Sequence, residues 1–250
     1  LAKVSEIPVL DGAEGMKVQP DHIYVIPPNV SMTVRNSTLH LLPRKESGTP
    51  FLPVDIFLQS LAEDQHEAAI GVILSGTAND GARGVESIKA CGGITFAQDR
   101  DSAKFSGMPM SAIRTGCIDF ILTPAEIAQE LARISGHPRK LSVAESDSGR
   151  DAAVGDDAVY AKILSVLRQS SGVDFASYRE STIRRRILRR MVLHNKHTLQ
   201  EYLDFMGDAA ESDALYHDLL INVTSFFRDP EVFKALAEKV VPRLFKGKGP

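Results

Sequence analysis

Ala69-Ile70-Gly71-Val72-Ile73-Leu74-Ser75-Gly76-Thr77-Ala78-Asn79-Asp80-Gly81 decides the fold of the first half of this chain. A short apolar run passes into small residues and then into an acid held between Asn79 and Gly81. An apolar run of this length, flanked by loop-like sequence, predicts a strand buried on both faces. The small residues after it predict a tight turn into a helix. In open α/β sheets, ligands and catalytic groups gather beyond the carboxyl ends of the strands, and that is where Asp80 falls. On spacing alone, the N-cap of the following helix is the favoured role for its carboxylate, a common one for Asp.

Downstream, Val85 and Ile88 mark a helix that ends near Cys91, with Gly92 in the C-cap role. Ile94 to Ala97 reads as a strand, and Gln98-Asp99-Arg100-Asp101 as a polar loop at its carboxyl end. Met108 to Arg114 predicts a short helix closed by Gly116, and Cys117 to Leu122 a third strand. Thr123-Pro124-Ala125-Glu126 then announces a helix by capping box and Pro at the first position, and Gly136 ends it. Upstream, Met32 to Arg35, Asn36-Ser37 and Leu39 to Leu42 resemble a hairpin, and a helix runs from about Val54 to His66. Strand, helix, strand, short helix, strand, helix is the pattern of a doubly wound α/β fold, a mostly parallel sheet covered on both faces. It occupies residues 1–136.

Residues 137–157 carry Ser, Gly, Ala and charges without periodicity and read as a linker. From 158 to 250 no strand is evident, and the segment reads as a small all-α module. Helical stripes cover Val159 to Leu167 and Ser177 to His194; further helices open at Thr198, span Glu211 to Leu220, and open at Asp229-Pro230.

Bulk composition sets limits. With 250 residues, 43% hydrophobic and 24% charged, a core of ordinary size is available. A net charge of −3 gives no general attraction to nucleic acid or membrane. The two cysteines, Cys91 and Cys117, form no CxxC pair and read as small core residues. No stretch spans a bilayer and no signal-peptide pattern is present, so the expected location is cytoplasmic. No metal-ligating cluster is expected. Residue 1 is Leu, and the chain stops at Lys246-Gly247-Lys248-Gly249-Pro250, which suggests a piece of a longer polypeptide.

The second helix of the α module carries Arg184, Arg185, Arg186, Arg189 and Arg190. At helical spacing Ile183, Ile187, Leu188 and Met191 face one side, and Arg185, Arg186, Arg189 and Arg190 the other. Arg184 falls toward the apolar side and needs a partner or must snorkel. Such a face is either solvated or a dock for an acidic surface; the planar guanidinium suits carboxylate and phosphate. No aromatic residues are interleaved for base stacking, which counts against nucleic acid.

These residues resemble two known families joined end to end. Gly76 to Gly81, Gly92 to Asp99 and Gly107-Met108-Pro109, with Pro53 to Phe57 and His22 to Pro28 upstream, resemble the C-terminal part of the chemotaxis receptor methylesterase (CheB type). Thr182 to Met191 and Ile221 to Pro230 resemble the N-terminal helical module of the receptor methyltransferase (CheR type). The first resemblance implies hydrolysis of receptor glutamate methyl esters, and deamidation of glutamines, by a Ser-His-Asp triad with no cofactor. Asp80 matches the triad acid, whose role is to orient the histidine and stabilise the imidazolium. The family's serine and histidine match nothing here: no G-x-S-x-G turn is present, and His22, His40, His66 and His137 fall at no catalytic position. This fragment alone is therefore expected to lack esterase activity. One departure is that Thr77 and Ala78 replace the family's Met-Gly, and Ala78 is harmless only with an ordinary φ.

The second resemblance implies S-adenosylmethionine as methyl donor, held mainly by a domain beyond residue 250. Asn222, Thr224 and Arg228 match cofactor-contacting positions, and Arg228 is suited to the methionine carboxylate. It also implies that the basic helix, through Arg185, Arg186, Arg189 and Arg190, docks the acidic cytoplasmic helices of methyl-accepting chemoreceptors. The alternative is a signalling scaffold whose catalytic sites have decayed and whose Arg helix only binds partners.

Overall fold

The computed structural model describes residues 3–44, 51–137, 153–175 and 178–220. Strand β1 (Val9–Asp11) pairs in parallel with β2 (Ile23–Val25), and β3 (Val30–Arg35) forms an antiparallel hairpin with β4 (Thr38–Pro43). The hairpin turn holds both Asn36 and Ser37 at positive φ, 49° and 54°, as a two-residue loop matched to strand twist requires. Ser is an unusual occupant. The Asp64 carboxylate supports the turn by accepting the N–H groups of both residues. Asp64 belongs to helix α1 (Pro53–Gln65), which starts with Pro at its first position and is followed by one tight turn at His66–Ala68.

The central sheet is parallel: β5 (Ile70–Ile73), β6 (Ile94–Gln98) and β7 (Phe120–Leu122) lie side by side in that order. Ile70 faces Ile94 and Phe96 faces Phe120 in register. Every residue of β6 is buried, its apolar Ile94, Phe96 and Ala97 in the core and its polar Thr95 and Gln98 hydrogen-bonded. Helices α2 (Ala82–Ala90) and α3 (Gly107–Arg114) form the crossovers, and α4 (Pro124–Ser135) follows the last strand. The capping box closes as its sequence predicts, with Thr123 and Glu126 each receiving the other's backbone N–H. One face of the sheet packs Ile73 on Leu58, Ala62, Val85, Ile88 and Ala112; the other packs Ile94 and Phe96 on Ile127 and Ile134. Along the other edge of β5 an apolar cleft of about 710 Å³ lies between β3, β4 and α1.

The helical half comprises α5 (Ala153–Ser171), α6 (Glu180–Leu193), α7 (Leu199–Phe205) and α8 (Ala209–Leu220). Its core joins Ile163, Leu167, Phe175, Ile187, Met191, Tyr202 and Leu215. Two boundaries differ from the sequence expectation. Helix α5 begins at Ala153, inside the segment read as linker. His137, read as the first linker residue, is buried, sits with Nε2 3.2 Å from the Lys196 carbonyl and stacks on His197. Polar composition hid both features, because neither depends on apolar periodicity. The helix expected from Asp229 lies outside the described residues.

No described helix is long and apolar enough to cross a membrane.

Candidate active site

Asp80 stands in the loop beyond the carboxyl end of β5, where parallel sheets collect their functional groups. It does not cap the helix that follows it. Helix α2 has Gly81 at its N-cap, and Asp80 turns instead to the start of α1. Its Oδ2 accepts the N–H of Val54 at 3.0 Å and its Oδ1 that of Asp55 at 2.9 Å. Asp55 returns the favour in space: its buried Oδ1 accepts the N–H of Gly84, 2.8 Å away, in the first turn of α2. Each carboxylate thus satisfies orphan donors at the N-terminus of a neighbouring helix and meets the positive end of its dipole. Each Asp80 oxygen has a second lone-pair direction. The side chain is half-buried, so an imidazole N–H can reach it.

The loop around Asp80 is held by a second loop, residues 99–107. Gly76 donates to the Phe105 carbonyl at 2.9 Å and its own carbonyl accepts from Met108 at 2.9 Å. The Ser75 N–H reaches Gln98 Oε1 at 2.8 Å, and Ser75 Oγ accepts from the Phe105 N–H at 2.9 Å. A Cβ at Gly107 would lie 3.1 Å from the backbone of Ala78, so the two loops touch main chain to main chain.

Ala78 has φ of +68°. The condition under which its methyl is harmless is therefore not met: a left-handed alanine costs about 1 kcal/mol. Ala78→Gly is expected to raise the unfolding free energy by about 0.5–1 kcal/mol, read as a higher urea midpoint at unchanged m. No gain would show that the loop relaxes around the methyl.

The arginine helix departs most from the sequence expectation. Arg186 is 1% exposed and Arg189 fully buried, so neither faces solvent. Helix α6 is buried on two sides. Ile183, Ile187 and Met191 enter the helical core, while Val192, 1% exposed, joins Ile127 and Ile134 in the α/β half. Arg186 donates to the carbonyls of Lys89, at 2.9 Å, and Ala90, the last residues of α2. Burial, then the adjacent Arg189 charge, pushes Arg186 down to about 10, so it stays protonated at neutral pH. Arg189 donates to the Gly93 carbonyl at 3.0 Å and to Asp218 at 2.6 Å, and also to Asp119. Lys89 completes the network 2.9 Å from Asp119. Burial alone would raise the Asp119 carboxyl, but the Arg189 and Lys89 charges outweigh it and hold it below the ordinary value.

Contacts also run the other way. Arg133 of α4 donates to the carbonyls of Val192, at 3.1 Å, and Leu193 at the end of α6, and to Asn195 Oδ1 at 3.1 Å. Arg190 pairs with Glu211, whose carboxyl is pulled down to about 2; burial opposes the shift, and bonds from His194, Arg190 and Tyr202 outweigh it. Arg185 faces Glu67 at 3.8 Å, and Arg184 snorkels over the Tyr160 ring to Glu180 and Asp157. Asp119, Lys89 and Arg133 escaped the sequence reading. Its only signal was an acid inside the apolar run Cys117 to Leu122. Asn222, Thr224 and Arg228 lie outside the described residues.

Residues 1–131 match the family model of the CheB methylesterase. The chain belongs to the CheB methylesterase family. Residues 158–220 of this family member also match the all-alpha domain of the CheR methyltransferase, so both chemotaxis signatures stand in one polypeptide. An uncharacterized 104.1 kDa protein of Rhodobacter capsulatus is 38% identical over 98% of this chain and 27% of its own length. Protein-glutamate methylesterase/protein-glutamine glutaminase 1 of Syntrophus aciditrophicus is 31% identical over 54% of this chain and 39% of its own. The Salmonella typhimurium enzyme of the same description is 32% identical, over 54% and 40% respectively. The catalytic domain of the Thermotoga maritima CheB methylesterase is 28% identical, covering 48% of this chain and 66% of that one, with a TM-score of 0.44. The CheB-like chain thus spans about two fifths of the length of these curated methylesterases.

Proposed function

We propose that residues 1–136 supply the acid of a protein-glutamate methylesterase triad, and that residues 158–250 open a methyltransferase acting on the same class of receptor glutamates. The observation that carries the esterase part is Asp80 itself. Its carboxylate lies at the carboxyl end of β5, fixed by two backbone N–H groups with lone pairs to spare. That is the preparation an orienting acid needs: it must hold one imidazole tautomer and stay ionised while the imidazolium forms. The nucleophilic serine and the histidine match no residue of 1–250 and belong to another segment of the working enzyme. Deamidation of receptor glutamines follows from the same acyl chemistry.

For the helical half, S-adenosylmethionine is the proposed donor, with Asn222, Thr224 and Arg228 as its contacts. Methyl-accepting chemoreceptor helices are the proposed partner, and the Arg185, Arg186, Arg189 and Arg190 face is their proposed dock once the contacts that bury Arg186 and Arg189 open. The alternative is a decayed scaffold that only binds partners, and no specific observation favours it.

Methanol release from methyl-esterified receptor is the test. The 250-residue chain is expected to release none, while a polypeptide that adds a Gly-rich serine turn and a histidine segment before residue 1 turns over. Turnover by the chain alone, abolished by Asp80→Ala, would overturn the assignment of the missing groups.

A further inference from the structure

Arg186 and Arg189 are the two most deeply buried arginines of a helix whose charged face the sequence leaves as either solvated or a dock for an acidic surface. What they meet is itself acidic in character. The end of α2 presents the carbonyls of Lys89 and Ala90, and the C-terminus of a helix carries about half a negative charge. Beside it stand the Gly93 carbonyl and the carboxylate of Asp119, while Asp218 and Glu211 of α8, inside the helical half, hold the remaining donors of Arg189 and Arg190. These acceptors occupy guanidinium donors that the side-chain carboxylates of a glutamate-bearing helix would otherwise take. Val192 inserts into the apolar layer of Ile94, Phe96, Ile127 and Ile134 next to these contacts, and Arg133 closes the far end of α6.

We propose that the α/β half acts as an internal acidic ligand for the arginine face of α6, so that packing of the two halves and capture of an acidic helix exclude one another. The proposal rests on the docking role assigned to these arginines. A partner tethered in the same chain acts at an effective concentration of about millimolar, so an acidic helix in solution competes poorly until the contact opens. The arrangement would tie receptor engagement by the helical half to release of the half that carries Asp80.

The contact can be opened without touching an arginine of α6. Val192→Asp places a charge in the apolar layer but lies outside the helical core, and Arg133→Glu sets a carboxylate against the α6 carbonyls from the other side. Binding of a synthetic glutamate-rich helical peptide, and of its glutamine counterpart, is measured by fluorescence anisotropy on the full chain. Small-angle scattering reports opening. The expected result is affinity for the glutamate peptide about tenfold or more higher in the opened variants, no gain for the glutamine peptide, and loss of the gain on adding Arg186→Ala. Should Val192→Asp fail to fold, Arg133→Glu carries the comparison. Tight glutamate-peptide binding that is equal in the wild type and opened variants would overturn the exclusion while leaving the docking role intact. Opened variants that bind no peptide would overturn the docking role and the exclusion with it. Variants that stay closed at both substitutions would also overturn it, because such a contact could not give way to a peptide.

Discussion

Asp80→Asn, in a polypeptide that also carries the serine and histidine, is expected to lower kcat for methyl-ester hydrolysis by about four orders of magnitude. The amide can still accept one α1 N–H through its oxygen, but its NH2 group faces the other donor, where a carboxylate oxygen now accepts. An imidazole meeting that amide is offered the wrong tautomer and loses the charge that stabilises its protonated form. The same substitution removes one acceptor from the α1 terminus, worth about 1–2 kcal/mol of stability. The two effects separate experimentally. A large fall in kcat at nearly constant KM, with a thermal midpoint only a few degrees lower, supports the triad role. A folded variant that keeps activity within tenfold would leave Asp80 as an anchor of α1 and nothing more.

Arg189→Ala is expected to destabilise the chain by about 3–5 kcal/mol, the cost of stripping the partner from buried charge. Asp119 would be left with Lys89 at 2.9 Å, and Asp218 with Lys89 and Arg190, each only at 3.8 Å. The dependence on pH follows from the direction of the Asp119 shift. Its folded value lies below the ordinary 3.8, so the stability it contributes is present above 3.8 and is lost as pH falls through the folded value. Without Arg189 the carboxyl loses its strongest opposing charge and that dependence weakens. The gap between wild type and variant should therefore be full at neutral pH and narrow below pH 3.8. Urea unfolding at several pH values measures it. A gap under 1 kcal/mol at neutral pH, on the order of a surface pair, would show that the network is solvated. Adding Asp119→Asn should recover part of the loss, because the two residues are directly coupled.

Local chemistry made much of this legible in the sequence. Apolar runs of strand length, the Thr123–Glu126 box with Pro124 at the first helical position, and the Ile183–Ile187–Met191 stripe each dictate a local structure that the fold retains. Asp80 was placed at the end of β5 by order along the chain alone. Its partner was not: the spacing favoured the next helix, whereas the bond goes to α1, twenty-six residues earlier in sequence. The arginines show the same limit. Periodicity separates an apolar face from a charged one but does not say whether the charged face meets water or another surface. Four arginines outward is a sound reading for a helix with one buried side. Only the tertiary structure supplies the second side, because Asp119, Gly93 and the end of α2 come together through pairing of strands far apart in sequence. Carbonyls freed at a helix terminus and buried carboxylates take the place of solvent as acceptors for these guanidiniums. The sequence by itself determined the elements and the acid at the end of the first sheet strand. Packing decided which helix that acid holds and where the arginines point.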